Sequence, residues 1–116
     1  MLQLGAGMMP TSILHEIAKQ GTARVQTAGR SISDVGIIAI AIRRSEALRS
    51  LDLDDVSELV NQDSAVTAYH LGVMLENPRL LRFVVRGELD YRCAATLEAA
   101  VARHPCLEMA DWAVAN

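Results

Sequence analysis

The sequence contains few cysteines, no basic leader and no long hydrophobic run. Its two cysteines, Cys93 and Cys106, are too few for the disulfide framework of a small secreted domain. No Lys or Arg precedes Lys19, so the basic segment that opens a signal peptide is missing. The longest uncharged apolar run covers residues 35–42 and is far shorter than the ~20 residues that span a bilayer. These absences predict a cytoplasmic protein with no membrane association.

A surplus of basic residues is also absent, since the formal net charge is −3. Nucleic-acid binding needs Lys and Arg concentrated on one face, so that function is disfavoured. The charge is unevenly distributed: residues 1–50 carry +3, residues 51–76 carry −6, and residues 77–116 are neutral. This segregation can steer association with a protein partner or a second copy, although solvated charged faces produce the same pattern. The excess of arginine over lysine and the many alanines are typical of a high-GC bacterial coding sequence.

Prolines are scarce, and the three present lie between periodic segments rather than inside them. A length of 116 residues with 51% apolar content predicts one globular domain. Apolar residues recur at three- and four-residue steps, which is the spacing of a helix face. The expected fold is all-α, a compact bundle of four or five helices with no internal repeat. Residues 1–10 are predicted to form a flexible N-terminal segment and residues 11–116 a single helical domain. The main helices are expected at residues 11–28, 35–48, 64–76, 78–86 and 88–103. An acidic turn is expected at 51–55 and a short helical stretch at 54–60. Residues 106–116 are expected to form either a short helix or a frayed end.

The segment 35–48 holds four isoleucines, Ile37, Ile38, Ile40 and Ile42, separated by alanines. Isoleucine favours β structure, so a strand is one interpretation. A helix is favoured because no second strand-like segment is evident that could supply the hydrogen bonds of a sheet. Such a helix is apolar on nearly every side and has to be enclosed. We predict that these four isoleucines contact a second copy, forming a homodimer, or another protein; the alternative is a central helix covered within one subunit.

The segment 78–86 separates apolar from basic residues when it is plotted at 100° per residue. Arg79, Arg82 and Arg86 share one side, and Phe83 lies on their flank. Arginine beside an aromatic residue is a composition enriched in binding hot spots. The prediction is a protein-binding stripe formed by these four residues. The alternative is a solvated basic face with Phe83 at the edge of the core.

No motif predicts catalysis, a cofactor or a metal ion. Gly5 and Gly7 lack the preceding strand and the third glycine of a dinucleotide-binding fingerprint. Cys93, His104 and Cys106 lack the closely spaced ligand pairs of zinc sites. The histidines are not accompanied by a nucleophile elbow, paired carboxylates or a glycine-rich loop. We therefore predict a non-enzymatic protein without catalytic, cofactor-binding or metal-binding residues.

The small size, the mild acidity and the apolar helix together predict a protein–protein interaction regulator. A concrete version is a bacterial anti-activator that binds and sequesters a transcriptional regulator through the isoleucine helix. One alternative is a secretion chaperone or adaptor. A second is a DNA-binding regulator with a helix-turn-helix around Gly87, and a third is a small-ligand-binding bundle that uses residues such as His15, Tyr69 and His70.

Overall fold

The computed structural model describes residues 2–4 and 21–114, and these residues form a mixed α/β fold. The predicted all-α bundle is therefore wrong. Strands and helices alternate along most of the chain, and each strand runs parallel to its neighbours. In chain order the elements are β1 (Leu2–Leu4), β2 (Thr22–Gln26), α1 (Ile32–Arg44), β3 (Ser50–Asp54), α2 (Ser57–Gln62), α3 (Ser64–Met74), β4 (Arg82–Leu89), α4 (Tyr91–Arg103) and β5 (Met109–Val114).

The strands lie in the sheet in the same order as in the sequence, from β1 to β5. Parallel neighbours need a crossover connection, which helices supply from β2 onward. Helices α1, α3 and α4 pack side by side in that same order. Right-handed crossovers between adjacent strands all place their helices on one face of the sheet, so the opposite face carries no helix in the described part of the chain. This is the architecture of a β/α solenoid, in which each strand–helix unit contacts mainly its neighbours.

Hydrogen bonds next to the strand starts show the repeat directly. The carbonyl of Gly21 accepts from the N–H of Arg49 at 2.8 Å. The carbonyl of Arg49 accepts from the N–H of Leu81 at 2.7 Å, and that of Leu81 from the N–H of Glu108 at 2.8 Å. These four residues hold equivalent positions, so successive repeats are 28, 32 and 27 residues long. The sequence therefore does contain an internal repeat. The repeat is hard to recognise in the sequence because successive copies differ in length.

A ladder of polar side chains joins the turns that precede the strands. Ser45, Asn77 and His104 hold the same place in three successive turns. The buried Asn77 amide donates to the carbonyl of Ile42 at 2.7 Å and to that of Ser45 at 3.0 Å. Nε2 of His104 lies 2.8 Å from the carbonyl oxygen of Asn77. These contacts connect neighbouring repeats on the side where the helices end and the strands begin.

The hydrophobic core lies between the sheet and the helices, and three residues predicted to bind a partner belong to it. Ile38 and Ile42 of α1 are 1% and 0% exposed, and Phe83 of β4 is 0% exposed. Their side chains pack within the chain, against residues of the strands and helices that form one continuous core. They contribute to folding and are not available at the surface.

The segment 78–86, predicted as a helix, is a turn followed by the first residues of β4. Its side chains alternate between two faces: Phe83 and Val85 point into the core, whereas Arg82 and Arg86 are exposed. A segment this short fits a helical and a strand period almost equally well, and pairing with β3 and β5 decides for the strand. Pairing with neighbouring strands likewise makes most of the predicted acidic turn part of β3. The C-terminal segment, predicted as a short helix or a frayed end, forms β5.

The structure does contain helices near the predicted segments 35–48, 64–76 and 88–103. The predicted helix 11–28 falls mostly outside the described residues, and its last part is strand β2. The predicted flexible segment 1–10 also lies outside them, apart from the residues of β1. None of the helices in the described ranges has the length and apolarity needed to cross a membrane.

Candidate functional site

The face of the sheet that carries no helix, named the open face below, displays mainly polar and charged side chains. Side chains alternate along a strand, so every second residue of each strand points away from the helices. The parallel register aligns these outward residues into rows across the sheet. The open face consists of Thr22, Arg24, Gln26, Ser50, Asp52, Asp54, Arg82, Val84, Arg86, Met109 and Asp111.

Arg86 and Asp52 form a bidentate ion pair on the open face. Nε of Arg86 lies 3.1 Å from one carboxylate oxygen of Asp52, and Nη2 lies 3.0 Å from the other. Two parallel bonds fix the orientation of the guanidinium plane. The hydrogen bond to Asp52 and the nearby carboxylates of Asp54 and Asp111 raise the pKa of Arg86. The Arg86 side chain remains 52% exposed, so this oriented cation is accessible to a partner.

Arg24 and Asp54 form a second ion pair, with Nη2 of Arg24 3.3 Å from the Asp54 carboxylate. Both side chains are more than one third exposed. An exposed pair of this kind contributes less than about 1 kcal/mol to stability. Its main effect is to order the charges on β2 and β3.

The part of the open face around β4 combines unpaired charges with apolar atoms. Arg82 and Asp111 take part in no ion pair with any of the described residues, and Nη1 of Arg82 lies 3.4 Å from the Ser50 hydroxyl. Met109 is 41% exposed, while Val84 is buried between its neighbours on β3 and β5. Arginine and methionine are enriched in protein interfaces. A partner can contact these charges and apolar atoms without breaking an ion pair between described residues.

A second surface, named the helix groove below, lies between α1 and α3 and encloses about 280 Å³. Ile37 and Ile40 are 40% and 39% exposed there, and Tyr69 is 67% exposed. The predicted isoleucine surface is thus divided, since the other two isoleucines of α1 face the core. The groove is lined by Ser33, Gly36, Ile37, Ile40, Arg43, Tyr69, His70 and Val73.

His70 is a titratable residue that lines the helix groove. It packs against Gly36 of α1, where an added Cβ would lie only 2.8 Å from Cε1 of the imidazole. Burial lowers the pKa of His70, and a backbone hydrogen bond at Ile32 opposes this effect. The folded protein therefore favours the neutral imidazole more strongly than the unfolded chain does.

The predicted arginine stripe is also divided by the structure. Arg82 and Arg86 lie together on the open face, and Arg79 is exposed in the turn before β4. Phe83 is separated from all three because neighbouring residues of a strand point to opposite faces. Two of the four predicted residues thus belong to one surface, together with acidic residues that the helical interpretation placed elsewhere.

The residues considered as zinc ligands do not come together. The Cys93 N–H donates to the carboxylate of Asp90 at 2.9 Å, at the start of α4, and burial raises the pKa of the Cys93 thiol to about 11. His104 and Cys106 follow the other end of α4, where Nδ1 of His104 accepts from the N–H of Cys106 at 3.2 Å. Across residues 2–4 and 21–114, no three metal-ligating side chains form a cluster.

Sequence reasoning missed four charged residues of the open face, Arg24, Asp52, Asp54 and Asp111. The signal that could have found them is a recurring spacing of apolar residues before and within each strand. The triplets are Leu48, Leu51 and Leu53; Leu80, Phe83 and Val85; and Leu107, Ala110 and Trp112. The residue that immediately precedes the last member of each triplet in the sequence lies in the central row of the open face; these residues are Asp52, Val84 and Asp111. A helical plot of one segment cannot show a spacing that recurs only in the next repeat.

Comparison with known proteins finds no matching family model, no similar curated protein and no similar solved structure. The architecture of residues 2–4 and 21–114 is that of a parallel β/α solenoid, and no helix of these residues lies on the open face.

Proposed function

We propose that this chain is a non-enzymatic protein-binding solenoid segment that binds its partner on the open face. The observation that carries the proposal is one accessible surface shared by three strands, with Arg82 and Arg86 at its centre and Asp52 and Asp111 on either side. Solenoids bind through extended surfaces that several repeats build together. The helices pack on the other face, so the strands offer the partner a rigid platform.

The charges on the open face favour a protein partner over a polyanion. Arg82 and Arg86 can each pair with a carboxylate of the partner, and Asp111 can pair with a lysine or arginine. The carboxylates of Asp52 and Asp54 lie beside the arginines and would repel a continuous row of phosphates. A more specific form of this proposal is an anti-activator that binds and sequesters a transcriptional regulator. That partner and the cytoplasmic location remain predictions from the sequence.

The helix groove supports a second candidate, the docking of an amphipathic helix from a protein partner. The supporting observation is the exposure of Ile37, Ile40 and Tyr69 around one concave surface. Helices that bind such grooves insert apolar residues spaced three or four positions apart. The groove lies on the helical side of the molecule, so separate substitutions can test the two surfaces.

A charge-swapped variant tests the open face without changing the net charge. The substitutions Arg82→Glu and Asp111→Arg reverse two charges that form no ion pair within the described residues. The control carries Arg44→Glu and Glu46→Arg. These substitutions reverse two exposed charges, one on the last residue of α1 and one just after the helix. Each protein is immobilised and used for affinity purification from a lysate of the source organism, and the retained proteins are quantified by mass spectrometry.

The proposal predicts one set of proteins retained by the wild type and the control, and depleted about tenfold or more by the open-face variant, which corresponds to ~1.4 kcal/mol. Retention should also weaken as the salt concentration rises, because exposed charges contribute. If the open-face variant retains the partner and an Ile37→Ser/Ile40→Ser variant loses it, binding belongs to the helix groove. Equal retention by all variants contradicts both surfaces. Circular dichroism checks that each variant is folded.

A further inference from the structure

The charged side chains of the described residues are sorted between the two ends of the strands. The edge where the strands begin, named the strand-start edge below, comprises residues 43–50, 75–82 and 103–109. The edge where they end, named the strand-end edge, comprises residues 26–34, 54–64 and 86–92. The strand-start edge holds six arginines and three glutamates, a formal charge of +3. The strand-end edge holds seven acidic residues and three arginines, a formal charge of −4.

The helix dipoles account for part of this sorting but not for all of it. Helices α1, α3 and α4 run opposite to the strands, so they begin at the strand-end edge and end at the strand-start edge. A helix dipole is equivalent to about half an elementary charge at each end, so three helices supply about 1.5 charges at each edge. The formal charges of +3 and −4 are at least twice as large. The folded chain therefore keeps a polarity along the strands, positive where they begin and negative where they end.

Exposed side chains carry this polarity, and the rest of the chain does not cancel it. Arg79 and Arg82 at one edge and Asp55 and Glu88 at the other are exposed and form no ion pair with a described residue. The residues outside the described ranges include one acidic and one basic side chain. Wherever these two side chains lie, they can change the charge of either edge by one unit at most.

We infer that a protein partner crosses the open face along the strand direction, with an acidic segment at the strand-start edge and a basic segment at the strand-end edge. This inference rests on the proposed function and adds the chemistry and the orientation of the partner. In the opposite orientation like charges would meet at both edges, which disfavours it. The length of β4 sets the separation of the two segments, because Arg82 and Glu88 near its ends lie about 20 Å apart along an extended strand.

The opposite charges of the two edges disfavour two other occupants. A nucleic acid would be attracted to the strand-start edge and repelled by the strand-end edge, where acidic residues outnumber basic ones. A second copy carries the same net charge of −3, so two copies repel each other as whole molecules. A partner with separate acidic and basic segments is complementary at both edges.

A charged peptide tests the orientation before the partner is known. The probe has about four glutamates at one end, about four lysines at the other and a Gly/Ser spacer that spans about 20 Å when extended. A nitroxide label is attached to one end at a time, and the broadening of the protein's amide NMR signals is measured at about 20 mM salt. The label on the glutamate end should broaden residues 79–82 at least about fivefold more than residues 86–89, and the label on the lysine end should reverse this ratio. A label in the spacer should broaden Asp52 and Val84 on the open face more than Tyr69 of α3.

The substitutions Arg82→Glu and Glu88→Arg exchange the charges near the two ends of β4 and leave the net charge unchanged. They reduce the formal charges of the edges to +1 and −2, so the broadening ratio should fall below about twofold. The matched control, Arg44→Glu with Glu46→Arg, exchanges two charges within the strand-start edge and should keep the wild-type ratio. Circular dichroism checks that each variant is folded. If the first variant does not fold, Arg79→Glu with Glu88→Arg replaces it, with the same edge charges and the same expected ratio.

Several results would overturn the inference. Equal broadening by the two end labels would do so, as would no broadening at all, or stronger broadening of the helices than of the strands. A peptide of glutamates alone that binds as tightly as the probe would show that the strand-end edge contributes nothing. Dimerisation of the wild type that excludes the probe would assign the open face to a second copy.

Affinity purification with the charge-swapped variant decides the proposed function separately. If a captured protein depends on Arg82 and Asp111 but the probe has no preferred orientation, the inference fails and the proposed function stands. If the probe is oriented and no captured protein depends on these two residues, the proposed function fails, and the inferred partner with it.

Discussion

At the scale of single residues, the side chain of Asn77 links two neighbouring turns of the solenoid. Its amide donates two buried hydrogen bonds to the preceding turn, and its Oδ1 accepts from the N–H of Arg79 at 2.9 Å. Helical plots treat this asparagine only as a cap, because its acceptors lie 32 and 35 residues earlier in the chain. Its role depends on repeats being stacked.

Replacing Asn77 by alanine removes its two buried hydrogen bonds to the carbonyls of Ile42 and Ser45 and the one that Oδ1 accepts from the N–H of Arg79. We expect the free energy of unfolding to fall by about 2–4 kcal/mol, since each intramolecular hydrogen bond contributes ~0.5–1.5 kcal/mol. Urea denaturation measures the change. The matched control is Asn61→Ala at an exposed position of α2, which should change stability by less than about 0.5 kcal/mol. Equal effects of the two substitutions would contradict the bridging role.

At the scale of elements, helix α1 shows what a hydrophobic pattern reveals and what it omits. Its helical state follows from local features, including the Ser31 hydroxyl that accepts from the N–H of Asp34 at the N-terminus. Its orientation does not follow, because isoleucines occur on nearly every side. Packing against the sheet buries Ile38 and leaves Ile37 exposed.

The two adjacent isoleucines therefore respond differently to the same change. Ile38→Ala removes a fully packed side chain and should lower the free energy of unfolding by about 2–5 kcal/mol. Ile37→Ala removes a side chain that is 40% exposed and should change it by less than about 1 kcal/mol. Thermal or urea denaturation distinguishes them. Comparable losses would contradict the burial of Ile38 and the exposure of Ile37.

The helix groove predicts a pH dependence of stability through His70. Burial lowers the pKa of His70 below its ordinary value of 6.5, so below that pH the unfolded chain takes up the proton first. The contribution of His70 to stability is complete above pH 6.5. It is lost as the pH falls from 6.5 through the lowered pKa of the folded state. Urea denaturation at about pH 7.5 and about pH 5.5 should show this decrease.

The matched comparison is His70→Gln, which keeps a polar side chain but does not titrate. This variant should lose less stability than the wild type over the same pH interval, because the two proteins differ only at residue 70. An identical loss in the two proteins would mean that His70 has the same pKa in the folded and unfolded states.

At the scale of the whole molecule, the stacking of repeats predicts a gradient of local stability. Strands β3 and β4 each have two partner strands, whereas β5 has one among the described residues. Amide hydrogens of β3 and β4 should exchange at least about tenfold more slowly than those of β5. Hydrogen-exchange mass spectrometry measures this difference. Uniform protection across the three strands would contradict a free edge.

The sequence indicated three of the helices because their signals are local. Asp63 and Asp90 cap α3 and α4 by accepting from the N–H groups of Val66 and Cys93, three residues further on. It also placed Arg82 and Arg86 on one surface, but by a helical argument that wrongly included Phe83. The strands were missed because strand partners were sought among nearby segments in which polar and apolar residues alternate. The strands of this sheet instead pair with segments in the preceding and following repeats.

What the sequence alone determined about this protein is where several helices form, because capping and helical periodicity act within a few residues. Only the tertiary structure decided that the strands form a sheet, that the repeats form a solenoid and that one side of the sheet is the open face. Leu51 finds its partners at Ala23 and Phe83, which lie 28 and 32 residues away in the chain. A parallel strand is stable only when such distant segments are brought side by side, and this depends on the helices between them packing on one face.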